Sequence, residues 1–283
     1  MTRSTYPPAP EPLPVATVDS HCHLDIQRDG ASLSVSEALA AAAAVGVTRV
    51  VQIGCDLDGA RWAVDVARQH ASVVAGVALH PNEAPQLAAR GELASAWSQI
   101  ERLVDDPLVR AVGETGLDHF RTGPDGRMAQ EESFRWHIDL AKRTSKALVI
   151  HDRDAHEDVM RVLDDEGAPE RVVFHCFSGD VSMARRCVER GWYLSFAGTV
   201  TFANATQLRE AALDVPLELM LVETDAPYLT PVPYRGRPNA SYLVPLTVRA
   251  LAKLHDVDVE TLASATDLNA TRVFRAWGEP TGS

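Results

Sequence analysis

The feature that most constrains the fold is a regular alternation of short apolar runs with longer segments of helical periodicity. The runs, rich in β-branched residues, cover 15–19, 47–54, 73–79, 108–114, 147–151, 171–175, 192–195 and 217–223. Helices are predicted at 34–46, 57–70, 91–105, 128–145, 155–166, 181–191, 202–212 and 240–255, with an extra C-terminal helix at 259–277. Eight β/α repeats in about 260 residues predict an α/β fold of the (β/α)8 TIM barrel type.

A doubly wound open sheet is the alternative architecture. No GxGxxG or GxxxxGK[ST] motif follows any of the runs, which disfavours a nucleotide cofactor. The interior has no proline-rich linker and no break in composition. We therefore predict a single barrel domain at 15–278, preceded by a disordered proline-rich leader at 1–14 and followed by a tail at 279–283.

Several predicted helices carry end signals. Ser34 followed by Glu37 is a capping box, and Asp154 with Glu157 resembles one. Gly46, Gly167 and Gly191 stand where a left-handed residue would end a helix.

The composition and the N-terminal sequence indicate the cellular compartment of the protein. No stretch approaches the roughly 18 consecutive apolar residues of a membrane span, so we expect none. The leader has no apolar core of a signal peptide, and the four cysteines include no CxxC pair. These features predict a cytoplasmic protein with reduced thiols.

Two histidines follow the first predicted strand, in Asp19-Ser20-His21-Cys22-His23. In an extended segment, residues i and i+2 point to the same side, so His21 and His23 could bind one metal ion. So short a motif also arises by chance, and the pair alone is weak evidence.

Further metal-type ligands stand at the ends of four other predicted strands. They are Glu114, His151, His175 and Asp225. Catalytic groups of TIM barrels lie at the carboxyl ends of the strands. Four imidazoles and two carboxylates exceed what one tetrahedral ion with an open position needs, and they suffice for two ions. The sequence therefore favours a binuclear hydrolase.

Six segments together resemble the TatD family of metal-dependent deoxyribonucleases, in the amidohydrolase superfamily. They are DSHCHLD (19–25), ALHPNEA (78–84), AVGETGLDHFR (111–121), HDRDAHEDV (151–159), FHCFSGD (174–180) and LVETDAPYLTPVPYRGRPN (221–239). The resemblance runs from about residue 15 to residue 274 and implies a distorted TIM barrel.

The resemblance also implies roles for the candidate ligands. His21 and His23 would hold one metal ion, His151 and His175 the second, and Glu114 would bridge the two. Asp225 would bind the first ion and act as the catalytic base, beside a hydroxide activated by both ions. The donor atoms suit zinc or manganese, and the carboxylates also permit magnesium.

Other polar residues are candidates for substrate binding and for ligand orientation. The resemblance makes His80 a contact of the substrate phosphate, and it marks His119 and Asn82 as departures from the family pattern. Arg153, Arg121, Arg237 and Arg235 lie on predicted loops at the barrel mouth and could bind phosphates. Asp118 and Glu223 could orient the ligands. His70, His137, His156 and His255 fall in or at the ends of predicted helices and receive no chemical role.

The expected activity is a 3′-5′ exonuclease on single-stranded DNA, because a cleft at a barrel mouth suits a flexible end better than a stiff duplex. The net charge of −12 disfavours a broad basic binding surface, so substrate binding would be weak and salt-sensitive. The alternatives are another ester or amide hydrolase of the superfamily, such as a D-aminoacyl-tRNA deacylase, and a metal-binding protein without catalysis. We expect a monomer.

Overall fold

The computed structural model describes residues 5–28, 30–275 and 277. Within them, the strands are β1 (Thr17–Cys22), β2 (Val47–Gly54), β3 (Val73–Val77), β4 (Val109–Asp118), β5 (Ala147–Arg153), β6 (Val172–Phe174), β7 (Tyr193–Phe196) and β8 (Met220–Val222). The described α-helices are α1 (Val35–Ala44), α2 (Leu57–Gln69), α3 (Ala84–Ala89), α4 (Leu93–Val104), α5 (Pro124–Thr144), α6 (His156–Glu166), α7 (Val181–Glu189), α8 (Thr206–Leu213), α9 (Val244–Leu254) and α10 (Val259–Phe274). The strands follow one another in chain order in one parallel sheet, so the predicted TIM barrel is confirmed.

Strand lengths differ from the prediction at the positions that matter for chemistry. β1 begins two residues later than predicted and extends to Cys22, so His21 lies within the strand. β4 extends to Asp118, which places Glu114 inside the strand instead of at its end. β5 extends to Arg153, whereas β8 is shortened to three residues because 217–219 form a 3-10 turn.

The helices are also adjusted at their ends. The Ser34–Glu37 capping box is present, and the backbone is left-handed at Gly46, Gly167 and Gly191, as predicted. The predicted Asp154–Glu157 capping box is wrong, because the residue that caps the start of α6 is Ala155 and no side chain makes a capping hydrogen bond there. The predicted helix at 202–212 begins only at Thr206. Among the described helices, none has the length and hydropathy needed to cross a membrane.

The chain forms two compact units. The first comprises, among described residues, 5–28, 30–52 and 179–272, and contains β1, most of β2, β7 and β8. β1 pairs with β2, with Asp19 opposite Val50, and β7 pairs with β8. An isolated parallel bridge joins Cys22 to Ala226. This bridge brings the end of β1 beside the segment that follows β8.

The second unit comprises 53–178, 273–275 and 277 among described residues, and contains β3 to β6. β4 pairs with β5, with Gly116 opposite His151 and Asp118 opposite Arg153. A register shift falls between Val112 and Thr115 on β4. The β-branched and apolar residues of these strands are buried, whereas polar side chains follow toward their carboxyl ends. The ladder therefore fixes the polar ends of β4 and β5 next to each other.

The leader differs from the predicted disordered segment over residues 5–14. The guanidinium group of Arg237 donates to the backbone carbonyl of Thr5 at 2.8 Å. The hydroxyl of Tyr242 donates to the carbonyl of Pro7 at 2.5 Å, and Arg249 donates to the carbonyl of Glu11 at 2.8 Å. Prolines cannot donate from the backbone but keep their carbonyls as acceptors, and Tyr242 uses the carbonyl of Pro7 in this way. The boundary of the barrel domain at 15–278 stays a prediction.

Candidate metal centre

In the first unit, two histidines of the β1 end and one carboxylate converge. Nε2 of His23 lies 3.4 Å from Oδ1 of Asp225, and Nε2 of His21 lies 4.0 Å from the same oxygen. One ligand atom from each of the three residues lies within 4.8 Å of the other two. His21 and His23 are buried, and the Asp225 side chain is 15% exposed. We call this set the β1–β8 triad.

The backbone holds the β1–β8 triad in place. The amide of Asp225 donates to the carbonyl of His21 and that of His23 to the carbonyl of Ala226, both at 2.9 Å. Asp225 has a left-handed backbone with a φ of 53°, which turns the chain sharply after β8. The carboxylate of Asp225 is thus presented on a turn that two strands fix.

A buried carboxylate that the sequence did not single out braces this turn. Asp19 is fully buried and accepts hydrogen bonds from the amide (2.9 Å) and hydroxyl (2.6 Å) of Thr224. Burial raises the pKa of Asp19 to about 6, against the opposing effect of these hydrogen bonds. The only local signal for Asp19 was its place at the start of the DSHCHLD segment.

In the second unit, the Glu114 carboxylate faces three imidazoles. Oε1 of Glu114 lies 2.9 Å from Nε2 of His80 and 3.5 Å from Nδ1 of His151. Its Oε2 lies 3.1 Å from Nε2 of His175. Glu114 is 4% exposed, and His175 follows β6 directly, with its amide bonded to the carbonyl of Ile150. We call Glu114, His151 and His175 the β4–β6 triad.

Asp118 orients one member of the β4–β6 triad. Its Oδ2 lies 3.3 Å from Nε2 of His151, on the far side of the ring from Glu114. The same oxygen accepts a hydrogen bond from the Asn82 side-chain amide at 3.2 Å, and Oδ1 accepts one from the Arg121 amide at 2.7 Å. The side chain of Gln130 donates to the Asp118 carbonyl and accepts from the Asp118 amide. This network places the predicted orienting residue Asp118 against a predicted ligand.

The charges of this network follow from its contacts. Burial alone would lower the pKa of His151, but hydrogen bonds to the carboxylates of Asp118 and Glu114 raise it to about 9. Burial opposes ionisation of Asp118, yet hydrogen bonds from His151, the Arg121 amide and Asn82 outweigh it and hold the pKa of Asp118 well below its usual range. Asp118 is therefore ionised, and it accepts a hydrogen bond from the protonated Nε2 of His151.

Both triads offer donors that fit a divalent metal ion. With Nε2 of His151 bonded to Asp118, its Nδ1 is directed toward Glu114 and lies 3.5 Å from Nε2 of His175. Imidazole nitrogens and carboxylate oxygens are the common ligands of zinc and manganese, and a carboxylate on the second ring nitrogen fixes the tautomer that binds metal. The residues present therefore fit metal ions in each triad.

Both ring nitrogens of His80 meet protein groups, and its predicted contact with a substrate phosphate stays a prediction. Its Nδ1 accepts a hydrogen bond from the Asn82 amide at 3.0 Å, and its Nε2 faces Glu114. Burial lowers the pKa of His80, although Glu114 opposes this effect. A neutral His80 that accepts at Nδ1 carries its proton on Nε2 and donates to Glu114. The structure therefore gives His80 and Asn82 contacts that orient Glu114 and Asp118.

The predicted arginines occupy distinct places. Arg153 lies at the end of β5 with its guanidinium 4.0 Å from the ring centre of Phe120, and Arg235 lies 4.3 Å from the ring centre of Phe202. Arg121 is exposed in the turn after β4. Arg237 binds the leader carbonyls of Thr5 and Tyr6.

Of the two remaining predicted residues, Glu223 is fully buried directly after β8, where its amide donates to the carbonyl of Phe196 at 3.2 Å. His119 is bonded through its amide to the carbonyl of Arg153 at 2.9 Å.

The chain is similar to known metal-dependent hydrolases. The family model described as TatD related DNase matches residues 18–275. An uncharacterized metal-dependent hydrolase, TatD, from Mycobacterium tuberculosis is 51% identical over 263 residues, covering 91% of this chain and 97% of the relative. The uncharacterized metal-dependent hydrolase YcfH from Escherichia coli K12 is 38% identical, covering 91% and 95%. The crystal structure of YjjV, a TatD homologue from Escherichia coli K12, superposes with a TM-score of 0.83 at 25% identity, covering 92% of this chain and 98% of that one.

A TIM barrel with His, Glu and Asp clusters able to bind metal defines a metal-dependent hydrolase of the amidohydrolase superfamily. Within that class, the chain belongs to the TatD-related DNase family, as its motifs predicted.

Proposed function

We propose that this enzyme is a deoxyribonuclease that removes nucleotides from the 3′ end of single-stranded DNA. The observation that carries the proposal is the set of buried and partly buried histidines and carboxylates toward the strand ends, in a chain of the TatD-related DNase family. The family supplies the substrate class, and the donor set supplies the means of hydrolysis.

In this proposal, His21, His23 and Asp225 would hold one divalent ion, and Glu114, His151 and His175 would hold a second. When bound, two divalent ions polarise a phosphoryl oxygen and lower the pKa of a water molecule. Zinc, manganese and magnesium are the candidate ions.

The protein residues would then place and move the proton. Asp225 is the carboxylate of the β1–β8 triad and is partly exposed, and its position on a fixed turn suits a base that takes the proton of the attacking water. The oxygen of that water forms a bond to phosphorus while the bond from phosphorus to the leaving oxygen breaks. Asp225 can return its proton to the leaving oxygen, which balances the reaction.

The substrate would bind through local groups instead of a broad surface. The net charge of −12 makes long-range attraction of DNA unfavourable. Arg121 follows β4 and Arg153 is the last residue of β5, and both can donate to phosphates. Binding that depends on few phosphate contacts should weaken with salt and suit short single strands.

The test uses metal-stripped protein to which magnesium, manganese or zinc is restored separately. The substrate is single-stranded DNA labelled at its 5′ end. The proposal predicts a ladder that shortens from the 3′ end only when metal is present. Cleavage at internal positions from the first turnover would overturn the exonuclease part.

A protein that binds two equivalents of metal and leaves DNA intact would overturn the nuclease itself, and the same preparation would then be assayed on aminoacyl-tRNA and small amides. The monomeric state and the cytoplasmic location stay predictions from the sequence. Gel filtration with light scattering checks the first.

A further inference from the structure

An exposed aromatic ring stands beside the β4–β6 triad and has no part in the metal chemistry. Phe120 follows the end of β4 by two residues, and 62% of its surface is exposed. Phenylalanine is among the residues most often buried, and this ring is instead largely open to solvent. The strand that ends at Asp118 also carries Glu114.

The ring is held by a cation from the neighbouring strand. The guanidinium carbon of Arg153 lies 4.0 Å from the ring centre of Phe120, within the range of a cation–π contact. Arg153 is the last residue of β5 and follows the triad member His151 by two positions. The pair therefore links the ends of two strands that carry metal-type ligands.

The turn that carries Phe120 is fixed by its backbone. The amide of His119 donates to the carbonyl of Arg153 at 2.9 Å, and the amide of Thr122 donates to the carbonyl of Asp118 at 3.2 Å. The amide of Arg121 donates to the carboxylate of Asp118 at 2.7 Å. A ring on so constrained a turn loses little conformational freedom when it binds a ligand.

The ring of the neighbouring residue His119 is much less accessible to a ligand than that of Phe120. The side chain of His119 is 10% exposed, and its Nδ1 lies 3.8 Å from the carboxylate of Asp158. Of these two consecutive rings, Phe120 is the one offered to solvent.

Single exposed apolar side chains are common and need no function on their own. Leu213, Met128 and Leu268 are exposed examples on helices of this chain. Phe120 differs from them because it is aromatic, is stacked on a cation and lies in the turn that extends a ligand-bearing strand. Aromatic rings beside arginines bind the bases of single-stranded nucleic acids by stacking, with little sequence preference.

We propose that Phe120 and Arg153 form a stacking subsite for a nucleobase of single-stranded DNA. The proposal rests on the proposed function and deepens it by naming the part of the substrate that these residues bind. The open surface of Phe120 takes the base. Arg153 supports the ring, while its in-plane N–H groups stay able to donate to a phosphate.

The test measures binding without catalysis, on full-length protein stripped of metal. The probes are an eight-nucleotide oligothymidylate and an octamer of the same backbone built from abasic tetrahydrofuran residues, both labelled at the 5′ end for fluorescence anisotropy. The proteins are wild type, Phe120→Ala, Phe120→Trp and the control Leu268→Ala, which truncates a half-exposed apolar side chain on α10.

The wild type should bind the oligothymidylate about tenfold more tightly than the abasic strand, near the lower end of what stacking of one base contributes. Phe120→Ala should lose that preference and keep its affinity for the abasic strand. Phe120→Trp should retain the preference, and Leu268→Ala should match the wild type.

Two results would overturn the subsite: a wild type that binds both strands equally, and a Phe120→Ala variant that weakens both strands by the same factor or neither. Metal is then restored and hydrolysis of the oligothymidylate is followed. Lack of hydrolysis by the wild type counts against the proposed nuclease alone, because the anisotropy measurements decide the stacking subsite independently.

Discussion

Oδ2 of Asp118 lies 3.3 Å from Nε2 of His151, and Nδ1 on the opposite side of that ring lies 3.5 Å from the Glu114 carboxylate. The first contact determines which nitrogen of His151 is directed toward the other ligands. An ionised carboxylate at Nε2 keeps a proton there and makes Nδ1 the stronger metal donor. Asp118 thus shapes the β4–β6 triad without belonging to it.

Replacing Asp118 should therefore weaken metal binding and activity together. We expect Asp118→Asn to lower metal affinity or activity by about 10- to 100-fold, since partners of metal-binding histidines have effects of this size. Equilibrium dialysis against buffered zinc measures the affinity. The control is Asp139→Asn, which breaks an exposed ion pair with Arg143. Unchanged metal affinity in Asp118→Asn would show that the contact does not control the ligand.

The number of metal ions bound per protein should show whether the β1–β8 triad binds an ion independently of the β4–β6 triad. We expect the wild type to retain two equivalents of zinc after gel filtration and His23→Ala to retain one, because the β4–β6 triad stays intact. Elemental analysis by mass spectrometry measures the content, and His70→Ala, at the end of α2, is the matched histidine control. Two equivalents in His23→Ala would remove His23 from the ligand set.

His137 should make the fold sensitive to mild acid. It is fully buried in α5, where its Nε2 accepts from the Leu79 amide at 3.2 Å and its Nδ1 donates to the Ser133 carbonyl at 2.7 Å. Burial lowers the pKa of His137 to about 4, against the hydrogen bond to Ser133. The unfolded chain, with a histidine pKa of about 6.5, binds the proton more readily below neutral pH.

The stabilisation from neutral His137 is therefore complete above about pH 6.5 and is lost as the pH falls from there through about 4. The loss amounts to about 3 kcal/mol of unfolding free energy at most. Urea unfolding at pH 7, 5.5 and 4 compares the wild type with His137→Gln, which lacks the titrating group. The wild type should lose more stability than the variant over this window. Parallel losses in the two proteins would contradict the assignment.

The leader should contribute to stability through the Tyr242 hydroxyl, which is buried and donates to the Pro7 carbonyl. Burial raises the pKa of Tyr242 to about 12, so this donor keeps its proton at neutral pH. Tyr242→Phe should lower the free energy of unfolding by about 1 kcal/mol and speed proteolysis within residues 5–14. Urea unfolding and limited proteolysis measure both effects. If neither changes, the leader does not dock through this bond.

The sequence predicted all the strands because their periodicity is local, but it could not set the ends that depend on distant partners. β1 runs to Cys22 because Cys22 pairs with Gln52 of β2 and, in an isolated bridge, with Ala226, which lies 204 positions further along the chain. The ligand candidates were visible as polar residues after apolar runs. Asp19 was missed because its role depends on Thr224, a contact that no short motif encodes.

The same difference between local pattern and distant partners explains why the contacts of the leader and of His80 were not predicted. Five prolines in 1–14 suggested disorder, yet residues 5–14 dock because distant arginines and Tyr242 donate to their carbonyls. The motif led to a predicted phosphate contact for His80, which stays a prediction, but it did not indicate that the two ring nitrogens meet Asn82 and Glu114. Partners of this kind become visible only when the strands are assembled.

The most direct test of the account is the single-turnover rate at which Asp225→Asn shortens 5′-labelled single-stranded DNA, measured at a metal content matched to the wild type. The control is Asp214→Asn, which replaces the half-exposed partner of Arg185 in the same unit. The account predicts a loss of about 10²- to 10⁴-fold for Asp225→Asn, the range for a lost general base, with wild-type rates for the control. Retention of more than a few per cent of the wild-type rate by a metal-loaded, folded Asp225→Asn would contradict it.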